Sequence, residues 1–350
     1  MKRRSPLPIV LLCAAALLVG CGEKPEPNPR SATGGGPGEP LRLMLDYFPN
    51  ADHAGIYAAQ ASGAYEKAGL DVKITPPPDP SAPLRLLLAG KTDLAISYEP
   101  ELLLARDKGA QLVAVGALVQ KPLTSLMAVG KADVHTPQDL RGKRVGTSGI
   151  PYQSAYLKTI LETAGVDTGS VKEINVGFNL VPAMLSGKVD ATLGAFSNYE
   201  GVDLERRGKH PTIQRMEKLG VPTYDELVFV ARRADLDQEF AGRVRRFMQA
   251  TARGHVALKA DPQAGLEGLL NADKGLDRGL QEASVKALLP VFFPADPKRP
   301  FGYQDPAEWQ RYADWMLEND LIRRRQPAEQ ALTNEFLPGE GLDPGRISQD

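Results

Sequence analysis

"GKTDLAISYE" (90–99) is echoed at 187–200 by "GKVDATLGAFSNYE". Both stretches read Gly-Lys-x-Asp, then a short apolar run, then Tyr-Glu. A helix end followed by a buried strand accounts for such a phrase. Gly tolerates the left-handed conformation in which helices end. A neighbouring Lys meets the negative end of the helix dipole, and the apolar run suits a strand covered on both faces. Gly-Lys-x-Asp is also ordinary punctuation between a helix and a strand, so the echo alone fits either an internal duplication or a coincidence.

The flanking segments extend the parallel. Before and after the first copy, "LRLMLDYF" (41–48), "LDVKITP" (70–76), "TDLAISY" (92–98) and "AQLVAVGALV" (110–119) read as strands. Residues 51–69, 81–90 and 101–109 read as helices between them, each closed by a Gly. Around the second copy, "RVGTSG" (144–149), "VKEINVG" (171–177) and "VDATLGAF" (189–196) read as strands, with helices at 151–165 and 179–187. Strand and helix in alternation predict parallel sheets with helices on both faces. The fold class expected is therefore α/β, as two parallel-rich lobes joined by two crossover strands, "TSLMAVG" (124–130) leading out and "DELVFVARR" (225–233) leading back. Lobe one would take 41–126 and 228–340, and lobe two 127–227. Helices expected at 237–260, 262–271, 277–291 and 306–319 would pack back on lobe one; the first shows Phe240, Val244, Phe247 and Met248 along one face.

Ligands of such sheets bind beyond the carboxyl ends of the strands. The candidate positions are Asp46 to His53, Tyr98 and Glu99, Ser148 to Tyr152, Gly177 to Asn179, and Phe196 to Glu200. The 350-residue chain has a net charge of −1 and no long basic run, so no nucleic-acid footprint is visible. His135, His210 and His255 show no metal spacing, and no phosphate-loop or nucleophile-elbow pattern occurs. Neither cofactor nor metal is expected.

The N-terminus reads as a targeting segment. Lys2, Arg3 and Arg4 precede an apolar stretch that ends in Leu18-Val19-Gly20-Cys21, which resembles the lipobox of bacterial lipoproteins. Residues 1–20 are then a signal peptide, Cys21 the lipidated residue, 21–40 a Pro- and Gly-rich tether, and 341–350 a tail. The only cysteines are Cys13 and Cys21, so a processed chain would carry no free thiol. The expected location is the cell envelope, with the body held at a membrane by its lipid.

"LDYFPNADHAGIYAAQASGAYEKAGLDV" (45–72), "SYEPELLLARDKG" (97–109), "LRGKRVGTSG" (140–149), "FNLVPAMLSGKVDATLGAFSNYEG" (178–201) and "LTNEFLP" (332–338) resemble the substrate-binding proteins of ABC importers for thiamine pyrimidine precursors. The related fungal pyrimidine synthases are similar too. The resemblance spans roughly 41–340. It implies a bilobed, type II-like periplasmic-binding-protein fold, a small pyrimidine ligand, a permease and ATPase complex as partners, and a monomer with no catalytic step. The family's usual Trp is replaced by Tyr47. The fungal enzymes use a cysteine-rich iron motif, absent here, and consume a His at the position of His53.

An aminopyrimidine presents a ring nitrogen beside an amino group, an edge that a carboxylate can face with two hydrogen bonds. Glu200 is the candidate for that contact, with Tyr199 or Phe196 stacking on the ring. Tyr98 is the counterpart in lobe one. Tyr47, Asn50 and His53 follow the first strand, and Gly149, Tyr152, Asn179 and Asn198 complete the candidate ligand set. Two other readings stay open: a binding protein for a sulfonate, nitrate or flavin-type solute, which would want cations in the cleft, and a pyrimidine synthase-like enzyme. Tyr57, Tyr65, Trp309 and Trp315 are expected in the core.

Overall fold

A computed structural model describes residues 38–132 and 134–339. The expected signal segment, Cys21, most of the tether and the tail lie outside the described residues. The chain begins with β1 (Glu39–Met44), α1 (Ala54–Ala61), α2 (Ala64–Lys67), β2 (Leu70–Thr75), α3 (Ala82–Leu88), β3 (Leu94–Ser97), α4 (Glu99–Asp107) and β4 (Leu112–Val119). It continues with β5 (Thr124–Ala128), β6 (Arg144–Thr147), α5 (Pro151–Thr163), β7 (Lys172–Asn175), α6 (Leu180–Leu185), β8 (Ala191–Phe196), α7 (Glu200–Arg206) and β9 (Thr212–Arg215). β10 (Leu227–Arg232) is followed by α8 (Gln238–Ala260), α9 (Pro262–Ala272), α10 (Arg278–Leu288), α11 (Pro306–Glu318) and α12 (Ala328–Ala331).

The strands form two five-stranded sheets, ordered β2-β1-β3-β10-β4 and β7-β6-β8-β5-β9. The plans are the same. Three parallel strands come first, then a strand antiparallel to both its neighbours that has arrived from the other half of the chain. The fold is thus bilobed α/β. Both expected crossover strands are full sheet members: β5 lies inside the second sheet and β10 inside the first. The crossings themselves are the short links after β4 and before β10. Strand β9 carries no apolar alternation long enough to read from the sequence.

The repeated phrase now has a structural meaning. Gly90 and Gly187 adopt φ of 70° and 69°, and Lys91 and Lys188 donate their backbone N–H back to Leu86 and Ala183 at 2.9 and 3.0 Å. Asp93 Oδ2 accepts from Arg42 N and Nε at 2.8 and 3.0 Å, and Asp190 Oδ2 repeats both bonds with Arg144 at the same distances. Each Asp therefore ties the N-terminal end of the third strand of its lobe to the first strand. The Tyr-Glu at the far end of the phrase lies beyond the C-terminal end of the same strand: Tyr98 and Tyr199 precede α4 and α7, and Glu99 and Glu200 open them.

Several boundaries differ from the sequence reading. β1 starts at Glu39, inside the expected tether, because Gly38 and Glu39 run alongside Leu70. The helix expected over 51–69 is a capped turn (Ala51–His53), α1 and α2, broken where Gly63 takes φ 70°. The helix expected to 291 stops at Leu288, two residues before Pro290, which lacks a backbone donor. The C-terminal helices do cover lobe one, with α8 so close to α1 that a Cβ on Gly254 would lie 2.1 Å from Gly55 O. They also reach lobe two, however. Gln281 on α10 donates to Tyr199 Oη at 3.1 Å, Arg206 pairs with Asp277, and the hydroxyls of Tyr312 on α11 and Tyr156 on α5 meet. Tyr57, Tyr65 and Trp309 are buried as expected, and Trp315 packs half-buried against the core.

The crossings are fastened by one carboxylate. Glu226, fully buried just before β10, accepts from the backbone N–H of Leu123 (2.6 Å) and Thr124 (2.8 Å), the Thr124 hydroxyl (2.8 Å) and the Tyr224 hydroxyl (3.2 Å). Beside it, Asp225 N donates to Glu99 and Trp309 Nε1 donates to Asp225. Burial pushes the Glu226 carboxyl up to about 7.

Candidate functional site

The loop after β1 is shaped by its own side chains. Asn50 Oδ1 caps the following turn by accepting from Asp52 N at 2.8 Å, and Asn50 N donates to His53 Nδ1 at 3.3 Å. That bond leaves the His53 hydrogen on Nε2, which faces Asp46 Oδ1 at 2.9 Å. Tyr98 donates its hydroxyl to Asp46 Oδ2 at 2.8 Å. Asp46 is thus held by a residue behind it and a residue from the end of the neighbouring strand.

Across from this loop stand the ends of β6 and β8. Gln153 on α5 accepts from Ser148 N at 2.8 Å. Its amide lies where a Cβ on Gly194 (φ 117°) would sit, 2.3 Å away, so only glycine leaves it room. Glu200 Oε2 accepts from Phe196 N at 2.8 Å, which folds the acid back over the end of β8.

Between the two sides lies a narrow cavity of about 20 Å³. Asp46, Tyr47, Asn50, Asp52 and Tyr98 line it from lobe one, and Ser148, Ile150, Gln153, Gly194, Phe196, Tyr199 and Glu200 from lobe two. The lobes are closed over it. Asn198 donates to Asp52 Oδ1 across the gap at 2.9 Å, the Tyr98 and Tyr152 rings are 5.3 Å apart, and Phe178 meets Tyr47 edge-on at 4.6 Å. The lining is aromatic and acidic, with no Lys, Arg or His among it. Burial is the largest cause that raises the carboxyls of Asp52 and Glu200, each to about 7. The Tyr47 hydroxyl is buried beside the Ser148 side chain.

Of the sequence candidates, Tyr47, Asn50, Tyr98, Phe196, Tyr199 and Glu200 are brought together on the cavity wall. His53, Gly149, Tyr152, Asn179 and Asn198 are not. His53 is fully buried behind Asp46. Tyr152 lies behind Tyr98 and bonds Thr124 at 3.2 Å. Gly149 (φ 79°) is required by backbone and by the Asn175 side chain, 2.3 Å from where a Cβ would be. Asn179 bonds back to Val176, and Asn198 serves as the latch to Asp52. Asp46, Asp52, Gln153 and Gly194 were not singled out as ligand residues. Asp46 and Asp52 fell within the candidate loop, but nothing local in the sequence distinguishes a cavity-facing acid from a solvated one.

Two lobes with matching sheet plans, crossed twice and closed on a polar-aromatic cavity, define the periplasmic-binding-protein class of fold. The alkanesulfonate-binding protein SsuA from Xanthomonas axonopodis pv. citri, solved with MOPS, superposes with a TM-score of 0.66 over 84% of this chain and 98% of that one, at 20% identity. Within that class the chain belongs to the NMT1/THI5 like family, whose model matches residues 50–265. It is 35% identical over 301 residues to the formylaminopyrimidine-binding protein of Halalkalibacterium halodurans, covering 85% of this chain and 90% of that protein. It is also 26% identical, over 85% of its length and 92% of the other's, to the 4-amino-5-hydroxymethyl-2-methylpyrimidine phosphate synthase of Legionella pneumophila.

Proposed function

We propose that this chain is the extracytoplasmic solute-binding component of an ABC importer and captures a thiamine-precursor-like aminopyrimidine by lobe closure. The observation that carries this reading is the cavity lining. Aromatic rings from both lobes border it, and its charged groups are all carboxylates. Such a wall suits a flat heterocycle that presents hydrogen-bond donors. An alkanesulfonate or nitrate would bring a negative charge to three acids with no cation beside them. Likeness to a formylaminopyrimidine-binding protein supports the same ligand class.

In this reading lobe one comprises 41–126 and 228–340 and lobe two 127–227, and the ligand favours the closed state by touching both. The closed chain would deliver its ligand to a permease and ATPase complex, and lipidation at Cys21 would hold it at the membrane. No covalent step is proposed. His53, the position that the resemblance to the synthases implies is reactive, is fully buried against Asp46 and does not line the cavity. Calorimetric titration of the purified chain with formylaminopyrimidine and with an alkanesulfonate separates the readings. The pyrimidine should bind and the sulfonate should not; binding of the sulfonate alone would refute the proposal. Incubation with the pyrimidine followed by mass spectrometry should return it unchanged.

A further inference from the structure

We infer that binding at this site takes up one proton, held between the Glu200 carboxylate and the ligand's ring nitrogen, and that the site therefore selects pyrimidines without a phosphate. The inference rests on the proposed function and adds the charge state of what is bound.

Glu200 opens α7 with one oxygen on the Phe196 N–H. The groups around it are mostly acidic or neutral. Asp46, Tyr47 and Asp52 face it from the loop after β1, and Tyr98 stands beyond Asp46. Tyr199 is adjacent, and Asp203 lies one turn further along α7 with its charge paired to Arg207 Nε at 2.8 Å. On the α10 side, Gln281 is neutral and Asp277 is paired with Arg206. Asp46 already receives Tyr98 and His53, and Asp52 receives Asn198. None of these pairs brings a cation into the cavity.

A carboxylate and an unprotonated ring nitrogen are both acceptors and repel. One proton between them turns the contact into a strong hydrogen bond, whether it is written on the acid or on the ring. The proton comes from solvent, and no other bond is made or broken. With the lobes closed, burial raises that acid to about 7. Above that pH both partners are free of the proton, so binding must take one up and the dissociation constant should rise about tenfold per pH unit. A phosphate ester would add negative charge to a buried site already lined by Asp46, Asp52 and Glu200, where repulsion is poorly screened.

The test is calorimetric titration of the full-length chain with 4-amino-5-hydroxymethyl-2-methylpyrimidine at about pH 8, in phosphate and in Tris. The two buffers differ in ionisation heat, so the proton count follows from the difference. Close to one proton per ligand is expected. Asp52→Asn should keep that count, Glu200→Gln should bring it near zero, and the phosphorylated pyrimidine should bind at least about tenfold more weakly. The Glu226 carboxyl titrates in the same range, so a count that survives Glu200→Gln would overturn the assignment. So would tight binding with no proton uptake, or equal affinity for the phosphorylated form. Failure of any pyrimidine to bind would instead remove the functional reading on which the inference stands.

Discussion

Replacing Glu226 by Gln tests the account of the crossings. The acid is fully buried and its carboxyl is raised from 4.5 to about 7, chiefly by loss of solvent. A raised folded-state pKa means that the acid contributes its full stability below the unfolded value, and that this is lost as pH climbs through the folded value. The shift from 4.5 to about 7 corresponds to a loss of about 3 kcal/mol across that window, at 1.36 kcal/mol per unit. Glutamine never ionises and escapes the loss. Its carbonyl oxygen can take both backbone donors, Leu123 N and Thr124 N, which already share one oxygen of Glu226. Its amide can then donate to the Thr124 hydroxyl. Alanine, by contrast, strands two buried backbone N–H groups, each costing about 1–3 kcal/mol. Urea unfolding at pH values near 5 and near 8 should show the stability of Glu226→Gln rising relative to the natural chain by about 2–3 kcal/mol on going to the higher pH. Glu226→Ala should be the least stable at both. A Gln-minus-Glu difference that stays flat with pH, or a Gln variant as damaged as the Ala one, would refute the reasoning.

Other outcomes follow from the same geometry. Asn198→Ala removes a bond to Asp52 that exists only when the lobes are closed. It should weaken ligand binding by about tenfold or more above pH 7, where Asp52 is charged, and by less below it, with little change in melting temperature, as read by titration at two pH values. Gly254→Ala forces a methyl into the Gly55 carbonyl at the crossing of α1 and α8 and should cost about 1–3 kcal/mol in chemical unfolding. Arg144→Ala, despite its repeated geometry, breaks a half-buried pair that solvent still screens and should cost about 1 kcal/mol in the same assay.

The halves of the fold were legible because each end of the repeated phrase does a job that a sequence records. Gly90 and Gly187 end helices, and Asp93 and Asp190 open strands; both are local chemistry. The short strand β9 and the partition of β5 and β10 between sheets were not legible, since pairing across the crossings is set by neighbours distant in the chain. The same distinction divides the site. Tyr47, Tyr98, Tyr199 and Glu200 could be proposed because they follow strands whose ends must face a cleft. His53 follows β1 and Tyr152 follows β6, and yet both stand behind the wall, one under Asp46 and the other under Tyr98. Gly194 and Gln153 form a fitted pair whose meaning appears only when β8 and α5 are brought together. The reach of α10 and α11 into lobe two was likewise hidden, because Gln281 and Tyr312 find their partners, Tyr199 and Tyr156, far away in the chain.

The most direct test of the central claim is a crystal structure of the chain with formylaminopyrimidine. The account predicts the ring lying between the aromatic side chains of the closed lobes, its ring nitrogen and amino group facing the Glu200 carboxylate. A ligand seated away from that acid, or a cavity filled instead by an anion held on arginines drawn in from outside it, would contradict the account.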